Sequence, residues 1–233
     1  MDTKKMSLEE RMKVYYEHPY LFKLPMRMPV IMRLDGNCFH SFTKDMQRPF
    51  DEGFREKMGT LGCHLCQRIS GAVFAYIQSD EISILIHNYK RLTSQAWFAN
   101  EVQKMVSISA GIASSYISLQ YNKEAVFDSR VFVIPEAEVC NYFVWRQQDA
   151  TRNSIQMCAQ SMFSHKQLQD KSCDMLQDMM FKEKDFNWNN LTPDKKRGYS
   201  IIKNEEKWKV DLNIPIFTQD RNYIESLLKV EEE

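Results

Sequence analysis

The order in which the apolar repeat changes between Val30 and Ile134 constrains this chain more than any other property of it. Val30-Ile31-Met32-Arg33-Leu34-Asp35 is a short apolar strand stopped by Asp35-Gly36. From Pro49 the residues Phe50, Phe54, Met58, Leu61, Leu65 and Ile69 recur every three or four positions, which predicts one helix with Pro49 in its first turn. Ala72–Ile77 and Ile82–Ile86 are strand-sized, and the short link Gln78-Ser79-Asp80-Glu81 makes them a hairpin. A helical repeat over about Ser94–Ser118 and a strand at Arg130–Ile134 complete the series. The order is β-α-β-β-α-β, an α+β arrangement of the ferredoxin-like, split-βαβ kind.

Around this unit the pattern is helical. Ser7-Leu8-Glu9-Glu10 has the spacing of a capping box opening a helix to about Glu17, and Glu136 to Phe163 again has helical periodicity. Beyond residue 165 the chain is polar and methionine-rich, with a hairpin expected around Tyr199–Leu212 and an acidic tail, Glu231-Glu232-Glu233. The expected division is residues 1–165 as the catalytic unit and 166–233 as a helical and hairpin extension packed on it. No apolar run approaches the ~20 residues of a spanning helix, and no leader is visible before Ser7, so the expected location is cytoplasmic with no membrane contact. The six cysteines (Cys38, Cys63, Cys66, Cys140, Cys158, Cys173) then read as free thiols. Cys63-His64-Leu65-Cys66 lacks a second ligand pair at zinc spacing and reads as two thiols on a helix.

Composition decides how such a chain could handle phosphate. Only 7 of the 233 residues are glycine, and neither G-x-G-x-x-G nor G-K-[ST] occurs. With 31 basic against 31 acidic residues there is no overall positive coat, so a polyanion must be met by metal and local basic side chains. In the β-α-β-β-α-β order the first two long strands run parallel with the third between them. Asp35 and the hairpin carrying Asp80 and Glu81 therefore reach one sheet edge. Two aspartates there repel unless a cation lies between them, and hard oxygen donors favour Mg²⁺. With the Gly36 carbonyl, such a pair can hold the two ions of a phosphoryl-transfer site. Asp at a strand end or in a hairpin is also an ordinary turn residue, so spacing alone leaves both readings open. Glu81 is expected to face elsewhere or to support the turn. The amides of Gly36-Asn37-Cys38-Phe39-His40 could receive a triphosphate and Phe39 could stack on a base, although Phe39 and Phe42 could equally be core.

Four motifs in order carry a family resemblance: Arg33-Leu34-Asp35-Gly36-x-x-Phe39-His40-x-Phe42, Gln78-Ser79-Asp80-Glu81, Phe127-Asp128-x-Arg130-Val131 and Trp145-Arg146-Gln147-x-Asp149. Together they resemble the tRNA-His guanylyltransferase family of 3′–5′ polymerases over roughly residues 28 to 200. The resemblance implies a polymerase-palm domain, with Asp35, Asp80 and the Gly36 carbonyl as ligands of two Mg²⁺ ions. It implies a nucleotide site at Asp35, Gly36, Asn37, Cys38, Phe39, His40, Ser79 and Asp80. It further implies activation of a tRNA 5′-monophosphate by ATP, attack by the 3′-hydroxyl of an incoming nucleoside triphosphate such as GTP, and a homotetramer. Relatives that add the extra guanosine of tRNA-His carry His-Ile-Asn-Asn-x-Tyr-Asn after the Trp-Arg-Gln-x-Asp motif. Here that stretch is Thr151-Arg152-Asn153-Ser154-Ile155-Gln156-Met157. Its departure resembles the branch that repairs 5′-truncated tRNAs against a template.

Without a glycine loop, further cations are needed, and the candidates are Arg48, Lys90, Arg91, Arg130, Arg146, Arg152, Lys195, Lys196 and Arg197. Trp145 reads as core rather than as a base platform. Two other readings stand beside the transferase. A nucleotidyl cyclase on the same palm would not need the long helical extension. A non-catalytic RNA-binding module on a ferredoxin-like sheet would carry exposed aromatics on its central strands, where these strands are aliphatic.

Overall fold

The computed structural model describes residues 6–230; the first five residues and the acidic tail Glu231–Glu233 lie outside them. Six antiparallel strands form one sheet: β1 (Val30–Gly36), β2 (Ala72–Gln78), β3 (Glu81–Ile86), β4 (Phe127–Val133), β5 (Tyr199–Asn204) and β6 (Lys207–Asp211), in the order β4-β1-β3-β2-β5-β6. Nine helices accompany them among the described residues: α1 (Leu8–Met12), α2 (Phe39–Phe42), α3 (Glu52–Arg68), α4 (Val102–Tyr121), α5 (Glu136–Met162), α6 (His165–Leu168), α7 (Cys173–Lys184), α8 (Pro193–Arg197) and α9 (Asn222–Glu225). Since β3 pairs antiparallel with both β1 and β2, those two run parallel and their carboxyl ends share an edge. The expected hairpin after Tyr199 is β5–β6, and it extends the same sheet through β2.

Helices cover both sheet faces, which is why the central strands are apolar on both sides. On one face α3 and α4 bury Val30, Met32, Leu34, Ile77, Ile82 and Ile84. On the other, α5 and the C-terminal segment bury Ile31, Phe74, Tyr76 and Leu85 against Phe143, Ile214 and Phe217. A third cluster joins the distal half of α5 to α7 through Ile155, Cys158, Leu176 and Met180. At 27 residues, α5 is about 40 Å long and spans both its clusters.

Local chemistry shifts several expected boundaries. The α3 helix starts at Glu52 because the Asp51 carboxylate caps it, accepting the Phe54 N–H at 2.8 Å; Pro49 lies outside the first turn. The helix expected from Ser94 begins only at Val102, because Phe98, Ala99 and Asn100 adopt left-handed backbone angles that a continuous helix excludes. The Ser7–Glu10 capping box is present, but α1 ends at Met12 and continues as a π-helical turn, Lys13–Glu17. All six cysteines are free; Cys63 and Cys66 sit on α3, and burial pushes both thiols up.

Candidate active site

The β2–β3 turn is a two-residue hairpin, with Gln78 paired to Glu81 and Ser79 at φ 49°. This turn holds Asp80 against the end of β1. Gly36 is the point of closest approach: a Cβ there would lie 2.7 Å from Asp80 Oδ2 and 2.4 Å from the Phe39 ring, so no larger residue fits without a shift. Burial pushes the Asp80 carboxyl up to about 6. Hydrogen bonds from its own backbone and Ser79 oppose that rise, and the charges of Asp35 and Glu81 reinforce it. Asp35, Ser79, Asp80 and Glu81 line one cavity of about 550 Å³, between the sheet edge, the start of α3, α5 and the α8–β5 junction.

Among the described residues no three His, Cys, Asp or Glu side chains converge as a ligand set. The donors at this sheet edge, the Asp35 and Asp80 carboxylates beside Gly36, are oxygen atoms, the hard kind that Mg²⁺ favours.

Glu81 lines the same cavity as Asp80 but is tied to α5. Strand alternation turns it toward α5, where Arg146 Nε and Nη2 grip its two oxygens at 2.8 and 2.7 Å. Arg146 Nη2 also donates to Asp149 at 2.8 Å, and the guanidinium lies 4.4 Å from the centre of the Trp145 ring. Burial works against the Arg146 charge, but Glu81 and Asp149 more than offset it and its pKa is raised. Arg146 is thus not an open phosphate ligand. Its Nε–Nη2 edge is engaged in an ion pair whose side chains are 8 % and 10 % exposed. Trp145, read as core, is instead 51 % exposed and lines the cavity.

Other expected residues divide by location. Phe39 is not a base platform: it is buried with its ring 4.8 Å from both Phe42 and Phe127. The Asn37 amide is not open to a phosphate, since it donates to Val126 O at 2.8 Å. Cys38 and His40 are exposed, with His40 Nε2 3.0 Å from Ser41 Oγ, and Arg48 is exposed just before the cavity residues Pro49 and Phe50. Lys90 and Arg91 follow the opposite end of β3, about 20 Å along the strand from the Asp80 turn. The fold does not bring them to the cavity. Arg130 pairs with Asp128 at 2.9 Å on β4, and Arg152 pairs with Asp149. Lys195 lines the cavity, bonded to Glu52 at 2.7 Å; Lys196 donates to Asn189 O and Arg197 to Ile214 O.

Several cavity residues were not singled out as site residues from the sequence. Arg33 and Gln78 line it, and the buried atoms Arg33 Nε and Gln78 Oε1 have no hydrogen-bond partner within the protein. Arg55, Asp149, Asp194 and Tyr199 also contribute. The i,i+3 spacing of Arg146 and Asp149 on a helix, inside the Trp145-Arg146-Gln147-x-Asp149 motif, was the signal in the sequence for that pair.

An antiparallel sheet presenting two carboxylates to such a cavity suits group transfer at phosphorus, and comparison with known proteins places the chain among nucleotidyltransferases. The family model described as Thg1, tRNAHis guanylyltransferase, matches residues 9–135, and the chain belongs to that family. A bacterial tRNA(His) guanylyltransferase (Thg1)-like protein solved in complex with ATP is 48 % identical, with a TM-score of 0.91 over 95 % of this chain and 99 % of that one. A second bacterial Thg1-like structure, in complex with GTP, is 42 % identical with a TM-score of 0.81, covering 96 % and 99 %. The probable tRNA(His) guanylyltransferase of Homo sapiens is 29 % identical over 74 % of this chain, which spans 64 % of that relative's length.

Proposed function

We propose that this protein is a Mg²⁺-dependent 3′–5′ nucleotidyltransferase that adds nucleotides to the 5′ end of tRNA, and that its task is template-dependent repair of 5′-truncated tRNA. The observation that carries the reading is the convergence of Asp35 and Asp80 on one cavity, with Gly36 at the point where Asp80 comes closest to β1. In this reading the βαββαβ unit is a ferredoxin-like polymerase palm, the protein works in the cytoplasm, and ATP and GTP are its nucleotide substrates. The nucleotides carried by its two bacterial structural relatives support that choice. Asp35, Asp80 and the Gly36 carbonyl would hold two Mg²⁺ ions, which supply a lowered hydroxyl pKa and charge neutralisation at phosphate. The chain's own part is positioning. Gly36 lets the aspartates approach, and the Glu81–Arg146–Asp149 network holds the hairpin from behind. Arg33, on the cavity wall, would bring a guanidinium to phosphate or ribose. No side chain is placed as a general base, consistent with the metal-lowered pKa. The repair assignment is supported by the α5 stretch Thr151–Met157, where Ser154 and Met157 line the cavity at two asparagine positions of the family's His-Ile-Asn-Asn-x-Tyr-Asn pattern, while Asn153 is kept.

The test offers the protein a 5′-monophosphorylated tRNA lacking its first nucleotide, with ATP, GTP and Mg²⁺, beside a full-length tRNA-His. Preferential extension of the truncated tRNA is the expected result. Preference for full-length tRNA-His would make it a tRNA-His-specific guanylyltransferase. No addition to either substrate, or undiminished addition by Asp35→Ala, would remove the catalytic assignment.

A further inference from the structure

Trp145 sets a rigid aromatic surface in the wall of the cavity that holds Asp35 and Asp80. Of the four tryptophans, Trp97, Trp188 and Trp208 are partly buried and Trp145 alone is exposed, at 51 %. Its place on α5 is the reason. Val139, Phe143, Arg146 and Ala150 point into the body at helical spacing. Trp145 heads the neighbouring row, followed by Asp149, Asn153 and Met157 at every fourth position, and all four line the cavity.

The ring is exposed and yet held. The Arg146 guanidinium lies 4.4 Å from its centre, and that guanidinium is fixed by Glu81 at 2.8 and 2.7 Å and by Asp149 at 2.8 Å. Tyr142 packs against it at a steep angle with ring centres 5.8 Å apart, and the Tyr142 hydroxyl is itself anchored 2.9 Å from Ser83 Oγ on β3. With one face under the guanidinium, the exposure falls on the opposite face and the outer edge. An aromatic plane held in this way loses little freedom when a flat group is laid on it.

A nucleobase is the flat group that the surroundings call for, since the ring shares a cavity with the two carboxylates. A docking patch for another protein would surround the ring with apolar neighbours, whereas its neighbours along the wall are Arg146, Asp149 and Asn153. The exposure also says which base. Half of the side chain is open to solvent, so what covers it extends out of the cavity, as the end of an RNA does and an enclosed mononucleotide does not. We propose, resting on the 3′–5′ transferase reading of the cavity, that the Trp145 indole stacks on the base of the 5′-terminal nucleotide of the RNA and so positions that end beside Asp35 and Asp80. Trp145 is a positioning residue and forms no bond in the reaction. Stacking accepts every base, so the contact fixes the RNA end without selecting its sequence and leaves the choice of added nucleotide to the template.

Trp145→Ala and Trp145→Phe test the stack by RNA binding rather than turnover. The two RNAs are a 5′-monophosphorylated tRNA lacking its first nucleotide and the same tRNA with an abasic 5′-terminal nucleotide. Removing that base should weaken binding to the wild type about 5- to 150-fold, the range for one base on an aromatic ring. Trp145→Ala should lose a similar factor on the intact RNA and less than about threefold on the abasic one, the non-additivity of two groups in contact. Trp145→Phe should recover most of the affinity, and the Kd of GTP should stay within about threefold of wild type in both variants. Equal losses on the two RNAs, or phenylalanine as poor as alanine, would overturn the stack. A weaker GTP Kd in Trp145→Ala with RNA binding unchanged would also overturn it, giving the ring to the nucleoside triphosphate. Failure of the catalytic reading is separate: coupled RNA binding without nucleotide addition by the wild type would remove the transferase activity and leave the stack standing.

Discussion

Replacing Arg146 with methionine separates a structural brace from a phosphate ligand. The side chain is 8 % exposed, its fork holds Glu81 at 2.8 and 2.7 Å, and Glu81 is itself only 10 % exposed. Methionine fills much of the same volume but leaves the Glu81 carboxylate buried without a counter-charge. Breaking a buried pair from one side costs about 3–5 kcal/mol. For a chain of this length each kcal/mol shifts Tm by about 2–4 °C, so the expected fall is roughly 6–20 °C. Asp149 adds little to the loss, since it keeps Arg152 and is more exposed. Glu81→Gln/Arg146→Met removes both charges, and most of the lost stability should return, because two uncharged side chains there carry no unpaired ion. Urea unfolding followed by circular dichroism measures the three variants. Steady-state kinetics give the second readout: a brace predicts that kcat falls about tenfold or more while KM for the nucleoside triphosphate moves less than threefold. A stability loss below about 1 kcal/mol, or single losses that simply add in the double variant, would refute the buried-pair argument. A selective rise in KM at unchanged stability would return Arg146 to the phosphate-binding role.

Three further outcomes follow from the same geometry. Gly36→Ala puts a methyl 2.4 Å from the Phe39 ring and 2.7 Å from Asp80 Oδ2. Displacing that carboxylate by about 1 Å should lower kcat on the order of 10²-fold, and a fold change below threefold would show that the close approach is dispensable. Phe39→Ala should cost about 3–5 kcal/mol by opening a cavity among Phe42, Phe54 and Phe127, with nucleotide affinity in the still-folded fraction within about threefold of wild type. A tenfold affinity loss at unchanged stability would instead make Phe39 a base platform. His87 is 3 % exposed with both ring nitrogens unpartnered; burial pulls its pKa down, Lys90 acts in the same direction and Glu136 opposes them. Its neutral form is thus favoured by folding, so its contribution is complete above the ordinary histidine value near 6.5 and is lost as pH falls through the lowered value. Urea midpoints at pH 5.5 and 7.5 should differ more in the wild type than in His87→Leu, and equal slopes would exclude His87 as the cause.

By itself the sequence determined the sheet core and the meeting of Asp35 with Asp80. Both follow from local periodicity and from the handedness of strand connections, which are properties of short segments and of chirality. It also determined the terminal hairpin, because Tyr199 to Leu212 has strand character on either side of a turn. Only the tertiary structure decided what the remaining side chains do, because their roles depend on contacts between segments far apart in the chain. Phe39 and Arg146 each lie in a family motif, yet one is enclosed by rings from two other segments and the other is locked to a carboxylate 65 positions away. Lys90 and Arg91 are near Asp80 in sequence and far from it in space, because an extended strand carries the chain about 3.3 Å per residue away from its turn. Trp145 followed the opposite course, from expected core to cavity wall, since its place on α5 turns it toward the opening that α3 and α8 leave. The zero net charge likewise acquired a spatial meaning: acidic groups gather at the sheet edge, while most candidate cations are bound to carboxylates or carbonyls and Arg33 stands on the cavity wall.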